Sequence, residues 1–363
     1  MHMRSFSKLI AVLAIAGTAV PLVAASGQKP AKEKKAKVPK EPRDQGEFFK
    51  SEQPVTFTLT TNIGRLRKDK GDKKPWRSGT ISYTDPAGKE HLIPVQLRTR
   101  GIWRLKNCEF PPVRLNFARA TSQGTPFYGL DMPKLTSICR DDDIYEQYIL
   151  QELQLYRIQN QLTPVSHKAR LLNVTYVDSA SGKVFAKRAA IMIEEPVAMA
   201  ARLGSMEVKL KGAKADDLDP FHNAFAGVFQ YFIGNTDWSI SGLHNMELLS
   251  QLDGTVIPIP YDFDFSGAIN ARYATTDPSL TINRVRERLY RGYCGPPEEV
   301  TKVVALFKEK KDAIYALYKD QIGQLMNPRI VKETLEYYDD FYHTVKDSRS
   351  VEREIVDECL GKR

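Results

Sequence analysis

At Asp143 the hydrophobic pattern of this 363-residue chain switches from alternation to helical spacing. Upstream, Val55-Thr56-Phe57-Thr58-Leu59-Thr60 alternates as a strand does. Thr80-Ile81-Ser82-Tyr83, His91 to Arg100 and Val113 to Phe117 continue a strand meander, with Asp85-Pro86-Ala87-Gly88 as a turn. From Asp143 to Leu162 the spacing predicts one long helix. Ile144, Tyr145, Tyr148, Ile149, Leu155, Tyr156 and Ile158 share a face, and Asp143 with Glu146 has capping-box spacing. At roughly 100° per residue, Glu152 falls about 20° from the middle of that face. A carboxylate there must be protonated, paired, hydrogen-bonded or at a rim, because an unpaired buried charge is costly.

Two further strands follow, Ala169 to Asp178 and Val184 to Ile193, the second stopped by Glu194-Glu195-Pro196. Phe221 to Ile233 is an apolar, buried helix, and a polar loop comes next. Met246 to Ser250 and Val256 to Ile259 form a short hairpin over Asp253-Gly254, and helices fill the chain from Glu298. A β-rich first half and an α-rich second half predict an α+β, two-lobed plan, with an N-lobe over 46–196 and a C-lobe over 197–363.

The first 25 residues read as a cleaved secretory leader: a basic start, the apolar run Leu9 to Val23 and a small-residue cleavage site. The run is short for a transmembrane segment, and no lipid-anchor cysteine follows it. Residues 26–45 read as a disordered basic linker. Removing the leader's two cations and the linker's net +4 from the formal +9 leaves +3, too little to indicate a nucleic-acid partner. Cys108, Cys139, Cys294 and Cys359 suit two disulfides in an oxidising compartment, secreted or periplasmic. Sequence leaves their connectivity open; pairing within each half of the chain is the simplest arrangement.

Two polar stretches carry the chemistry, "GNTDWSISGLHN" from Gly234 to Asn245 and "IPYDFDF" from Ile259 to Phe265. The hairpin between them returns the chain, so Asp262 and Asp264 can come back beside Asp237 and Asn245. Oxygen donors without His or Cys suit a hard cation such as Mg²⁺, with Mn²⁺ as a substitute. A base, an amide and an acid on metal, and a cation on nucleotide phosphates are the parts of phosphoryl transfer. Arg284, Arg286 and Arg288 read as a solvated basic face. His222 and His244 show no carboxylate partner in sequence and read as loop or helix-start residues.

The element order also follows that of kinase-like folds. In that order Arg114 or Arg100 meets the phosphates, Glu152 on the long helix anchors an arginine, and Glu194-Glu195 forms the hinge. The signature "GNTDWSISGLHN…IPIPYDFDFSG" resembles that of the CotH-type spore-coat protein kinases, and the similarity extends upstream to Arg100-Gly101 and the strand Val113 to Phe117. The resemblance implies a kinase-like fold binding ATP and Mg²⁺, with Asp237 as the catalytic acid and Asn245 and Asp262 as metal ligands. Where the family carries a lysine before the basic strand, this chain has Cys108-Glu109-Phe110-Pro111-Pro112. The phosphate-pairing cation is then Arg114, Arg100 or Lys106. The expected function is an exported phosphotransferase acting on a protein hydroxyl; the alternative is a pseudokinase serving as an envelope binding module.

Overall fold

The computed structural model describes residues 41–361. The leader, and the linker as far as residue 40, lie outside the described residues. Strand β1 (Val55–Thr61) turns Val55, Phe57, Leu59 and Thr61 inward, as its alternation requires. β2 (Arg77–Thr84) and β3 (Glu90–Thr99) pair from Arg77↔Leu97 to Thr84↔Glu90. Their turn is held by the Asp85 carboxylate, which accepts the N–H groups of Ala87 and Lys89. β4 (Val113–Phe117) and the three-residue β5 (Lys134–Thr136) extend the sheet.

β6 (Ala169–Asp178) and β7 (Val184–Ile193) form an antiparallel pair, and β7 then joins β5. β6 lies parallel to β1, in register from Val55↔Leu172 to Thr61↔Asp178. This ladder closes seven strands into a barrel of order β1-β2-β3-β4-β5-β7-β6. Phe127 fills the barrel, with Phe48, Phe57, Tyr83 and Phe117 packed around its ring.

The closed barrel overturns the expected two-lobed protein-kinase-like fold. The individual strands were readable, but closure depends on β1 meeting β6, far along the chain, and pairing at that range leaves no local pattern. In the second half the expected hairpin forms and gains a third strand. β8 (Met206–Val208), β9 (Met246–Ser250) and β10 (Val256–Pro260) make a separate three-stranded sheet in the order β10-β9-β8.

The helix Asp143–Leu162 is buried on most of its circumference from Tyr148 onward, rather than on one stripe. Its polar residues are absorbed by neighbours: Gln154 donates to the carbonyl of Leu317, and Arg157 binds Glu52 and Asp320. The cap is Asp142, whose carboxylate accepts the N–H of Ile144. Glu146, expected in a capping box, instead accepts the N–H of Ala189 and pairs with Arg188.

Both disulfides form within their halves, Cys108–Cys139 and Cys294–Cys359. Among the described residues no helix is long and apolar enough to cross a membrane. The end of the expected linker is docked on the barrel. Arg43 donates to the carbonyls of Phe117 and Leu130 and pairs with Asp131, and Gln45 is buried.

The helix Pro220–Ile233 starts at Asp219, which caps the N–H of His222, and ends at Gly234 in the left-handed region, φ +63°. A Cβ at Gly234 would collide with the Tyr337 hydroxyl. Gly254, at the β9–β10 turn, has φ +88° but open space around it. Gly234→Ala is therefore expected to destabilise the protein by about 2–4 kcal/mol and Gly254→Ala by about 1 kcal/mol, measured by chemical denaturation.

Candidate functional site

The polar loop after Gly234 is built to present Asp237. Asn235 is buried and its side-chain oxygen accepts the N–H of Asp237, 3.0 Å away, while the Trp238 indole donates to the carbonyl of Asn235. Ser239 and His244 exchange backbone hydrogen bonds that close the loop. Asn245 then turns back, and its amide donates to the Asp237 carbonyl and to Oδ2 at 2.7 and 3.1 Å. Asn245 and Asp262 both hold positive φ, 50° and 63°. Asn and Asp tolerate that region better than other non-glycine residues, yet it stores strain, here at two of the expected site residues.

β10 delivers the second stretch. The N–H of Asp262 donates to the hydroxyl of the fully buried Tyr156, and Tyr261 N–H donates to the carbonyl of Asn245. These bonds tie the acidic turn to the long helix and to the Asp237 loop. Asp237, Asn245, Asp262 and Asp264 thereby line one cavity of about 450 Å³. The barrel contributes Arg100, Arg104 and Lys134 to it. Arg100 stands at the end of β3, where Gly101 at φ +77° lets the chain leave the sheet. The segment from Arg100 to Pro112 is fixed by the Cys108–Cys139 disulfide, by Glu109 N–H donating to the Cys139 carbonyl, and by Arg104 donating to the Ser137 carbonyl. Trp103 packs its ring against Phe265 and Tyr273 at the cavity rim.

Charge is concentrated in little solvent. Glu152 is 2% exposed and Asp264 5%. Burial, then the neighbouring Asp264 and Asp262, push the Glu152 carboxyl well up from its usual range. Burial and Asp262 raise Asp264 to about 6. Arg104 carries the opposite charge: burial works against it, and Tyr273, Asp264, Glu152 and Asp262 outweigh that penalty. Lys134 leans over the Tyr261 ring, 4.1 Å from its centroid, and lies 3.8 Å from Glu247. Burial, then Arg100, lower it to about 8.

Five of the expected site residues, Arg100, Asp237, Asn245, Asp262 and Asp264, meet in this cavity. Glu152 is sealed beside it, within the field of Asp262 and Asp264, and has no ion pair among the described residues. Arg114, Glu194 and Glu195 do not line it. Arg114 pairs in register with Lys134 on the sheet. Glu194 binds Arg202 and the N–H of Lys168. Glu195 accepts the N–H groups of Asp131 and Met132 and the Gln45 amide, so both acids hold strands and termini together. Lys106, the third candidate cation, is exposed.

Sequence reasoning missed Arg104, Lys134 and His244. Lys134 opens a strand too short to show alternation, and Arg104 sits on a five-residue helix. His244 does have a carboxylate partner: its Nε2 lies 2.9 Å from Asp237 Oδ1, a hydrogen bond that raises its pKa. His222 likewise lies 2.5 Å from Asp219.

For a divalent cation the chemistry of the donors is suitable. The Asp262 carboxylate and Asn245 Oδ1 line the cavity and take no hydrogen bond from the described residues. Hard oxygen donors in such small number suit an ion that keeps water and phosphate oxygens as its other ligands. Among the described residues no three His, Cys, Asp or Glu side chains cluster at metal-holding distance. No protein-family model and no curated protein matches the chain.

The raised carboxyl of Asp264 sets a pH dependence. It keeps its proton in the folded protein to about pH 6 but loses it near pH 4 when unfolded, so folding stability falls as pH rises through that window. Asp264→Asn is expected to reduce this slope, leaving the part that the raised Glu152 carboxyl contributes, and to raise the melting temperature at pH 7.5, measured by calorimetry without added ligand.

Proposed function

We propose that the chain binds a nucleoside triphosphate with Mg²⁺ or Mn²⁺ in this cavity and transfers a phosphoryl group to a hydroxyl of a protein acceptor. The observation that supports it is the convergence of Asp237, Asn245 and Asp262 with Arg100, Arg104 and Lys134 around one cavity. The resemblance to the CotH-type signature adds to this through the two loops alone, since the barrel departs from the fold that the resemblance implied. A volume of about 450 Å³ is in the range of small-molecule sites.

Each residue has a role that follows from its surroundings. Asp237, held by Asn235 and Asn245, accepts the proton of the acceptor hydroxyl and aims its oxygen at the phosphorus. Arg100 and Lys134 hold phosphate oxygens, Arg100 with its planar fork and Lys134 as a point charge. Asp262 and Asn245 would hold the metal, with Asp264 beside them. When bound, the metal supplies neutralisation of the charge that develops on the phosphates. Arg104 offsets the negative field of Glu152 and Asp264, which would otherwise repel an anionic ligand. Export from the cytoplasm, as the leader suggests, is compatible with two disulfides.

A binding module without transfer is the second possibility. It is favoured by Lys134, which is already engaged by Glu247 and Tyr261. Thermal-shift titration with ATP and Mg²⁺ separates the cases. A rise in melting temperature that Asp262→Ala abolishes is expected, and no shift with any nucleotide and metal would defeat the assignment. Radiolabel transfer should then fall at least about 10²-fold in Asp237→Asn, with the thermal shift retained; an unchanged shift without any transfer identifies the binding module.

Lys134 adds a pH test. It is protonated below about pH 8, so nucleotide affinity should weaken as pH rises past that value. In Lys134→Arg, which stays charged, the affinity measured by calorimetric titration should stay level to pH 9 or beyond.

A further inference from the structure

We infer that a second cavity, bordered by the same loop that presents Asp237, is a subsite for an acidic group on the acceptor, with Arg291 as its anion-binding residue. The role as an acceptor subsite rests on the phosphotransfer assignment; the anion site itself does not. This cavity measures about 180 Å³. It is too small for a nucleotide and ample for a carboxylate or a phosphate.

The position follows from the loop. Asp237, His244 and Asn245 line the large cavity, whereas Trp238, Ser239, Ile240 and Ser241, the next four residues, line the small one. An extended acceptor with its hydroxyl at Asp237 advances about 3.3 Å per residue, so its neighbouring side chains reach the second cavity within a few residues.

The chemistry follows from what the lining groups have left to give. Nη1 of Arg291 donates to the carbonyls of Thr236 and Trp238, on either side of Asp237. Its Nε and Nη2 make no hydrogen bond, and no carboxylate lies within ion-pair distance among the described residues. Ser239 Oγ accepts the N–H of Gly242 and lies 3.3 Å from Ser241 Oγ, so one hydroxyl proton of the pair can turn outward. The other polar groups are spent: the Trp238 indole donates to the Asn235 carbonyl and the Tyr293 hydroxyl to that of Ala213. What remains is a guanidinium fork and a hydroxyl; Asp277 and Asp237 act on Arg291 only at longer range, without an ion pair, so its donors stay open to an oxyanion rather than a cation.

The C-terminal contribution to the lining is also built rather than incidental. Leu360 lines the cavity and is pinned by backbone hydrogen bonds to Gly292 and Cys294, next to the Cys294–Cys359 disulfide. Ile240 and Trp238, both buried, give an apolar face, beside which a charged hydrogen bond to Arg291 is stronger than in open water.

Trp238 serves as the reporter. In the chain carrying Trp76→Phe and Trp103→Phe, only Trp238 remains of the three tryptophans. Titration with inorganic phosphate, and separately with acetate, should change its fluorescence saturably. Arg291→Gln should weaken that response roughly tenfold or more, and Ser241→Ala, which leaves the Arg291 bonds to the loop in place, by a smaller factor. A response to both anions points to acidic side chains on the acceptor; a response to phosphate alone points to a phosphorylated one. Absence of any saturable change, or an identical titration in both variants, overturns the subsite. Peptides with an acidic residue near the acceptor serine should be modified with higher kcat/KM than neutral ones, an advantage lost in Arg291→Gln. If the anion response is present while ATP–Mg²⁺ gives no thermal shift, the phosphotransfer assignment fails and the anion site stands.

Discussion

The hydrogen bond from the backbone N–H of Asp262 to the hydroxyl of Tyr156 ties the acidic turn of the candidate site to the long helix. Tyr156 is fully buried in the long helix and its ring packs on Phe263. A buried hydroxyl needs a partner, and the N–H it accepts here belongs to a residue at positive φ that no strand partner satisfies. The bond therefore fixes an otherwise unfavourable turn. One helical turn earlier, the same helix carries Glu152, which brings it within the field of Asp262 and Asp264.

That crowding has an electrostatic logic. Glu152, Asp262 and Asp264 repel one another in a poorly solvated region, and Arg104 opposes them. Such an arrangement is unfavourable for the fold by itself, as is common where a protein concentrates like charges. The positive φ of Asn245 and Asp262 is unfavourable in the same way. Arg100 and Lys134 bring positive charge to the same cavity, which thus carries side chains of both signs.

The barrel positions the cations of the cavity. Arg100 leaves β3 and Lys134 opens β5, and the Cys108–Cys139 disulfide holds the segment between β3 and β4 against the entry to the long helix. Glu194 and Glu195, at the end of β7, tie strand ends and the docked residues before β1 into the same unit. Their carboxylates are occupied by protein, which is why neither lines the cavity. The order of elements suggested a hinge at these acids; buried hydrogen bonds assigned them to the scaffold.

Most strands, the long helix and the buried helix were legible from alternation and helical spacing, because those patterns are local. The Asp237–Asn245 and Asp262–Asp264 pairs were legible because a short hairpin must return the chain close to where it left. Lys134, Arg104 and His244 were not, since each is defined by what it meets across the fold: Glu247 and Tyr261, the buried acids, and Asp237. Closure of the barrel was equally hidden, because β1 and β6 are ordinary strands whose parallel partnership depends on everything between them. The amino-acid sequence by itself determined which residues carry charge at turns and which segments are regular. Only the tertiary structure decided that the sheet closes, that Glu152 is sealed rather than at a rim, and which cations face the acids, because burial and long-range pairing are properties of the assembled chain.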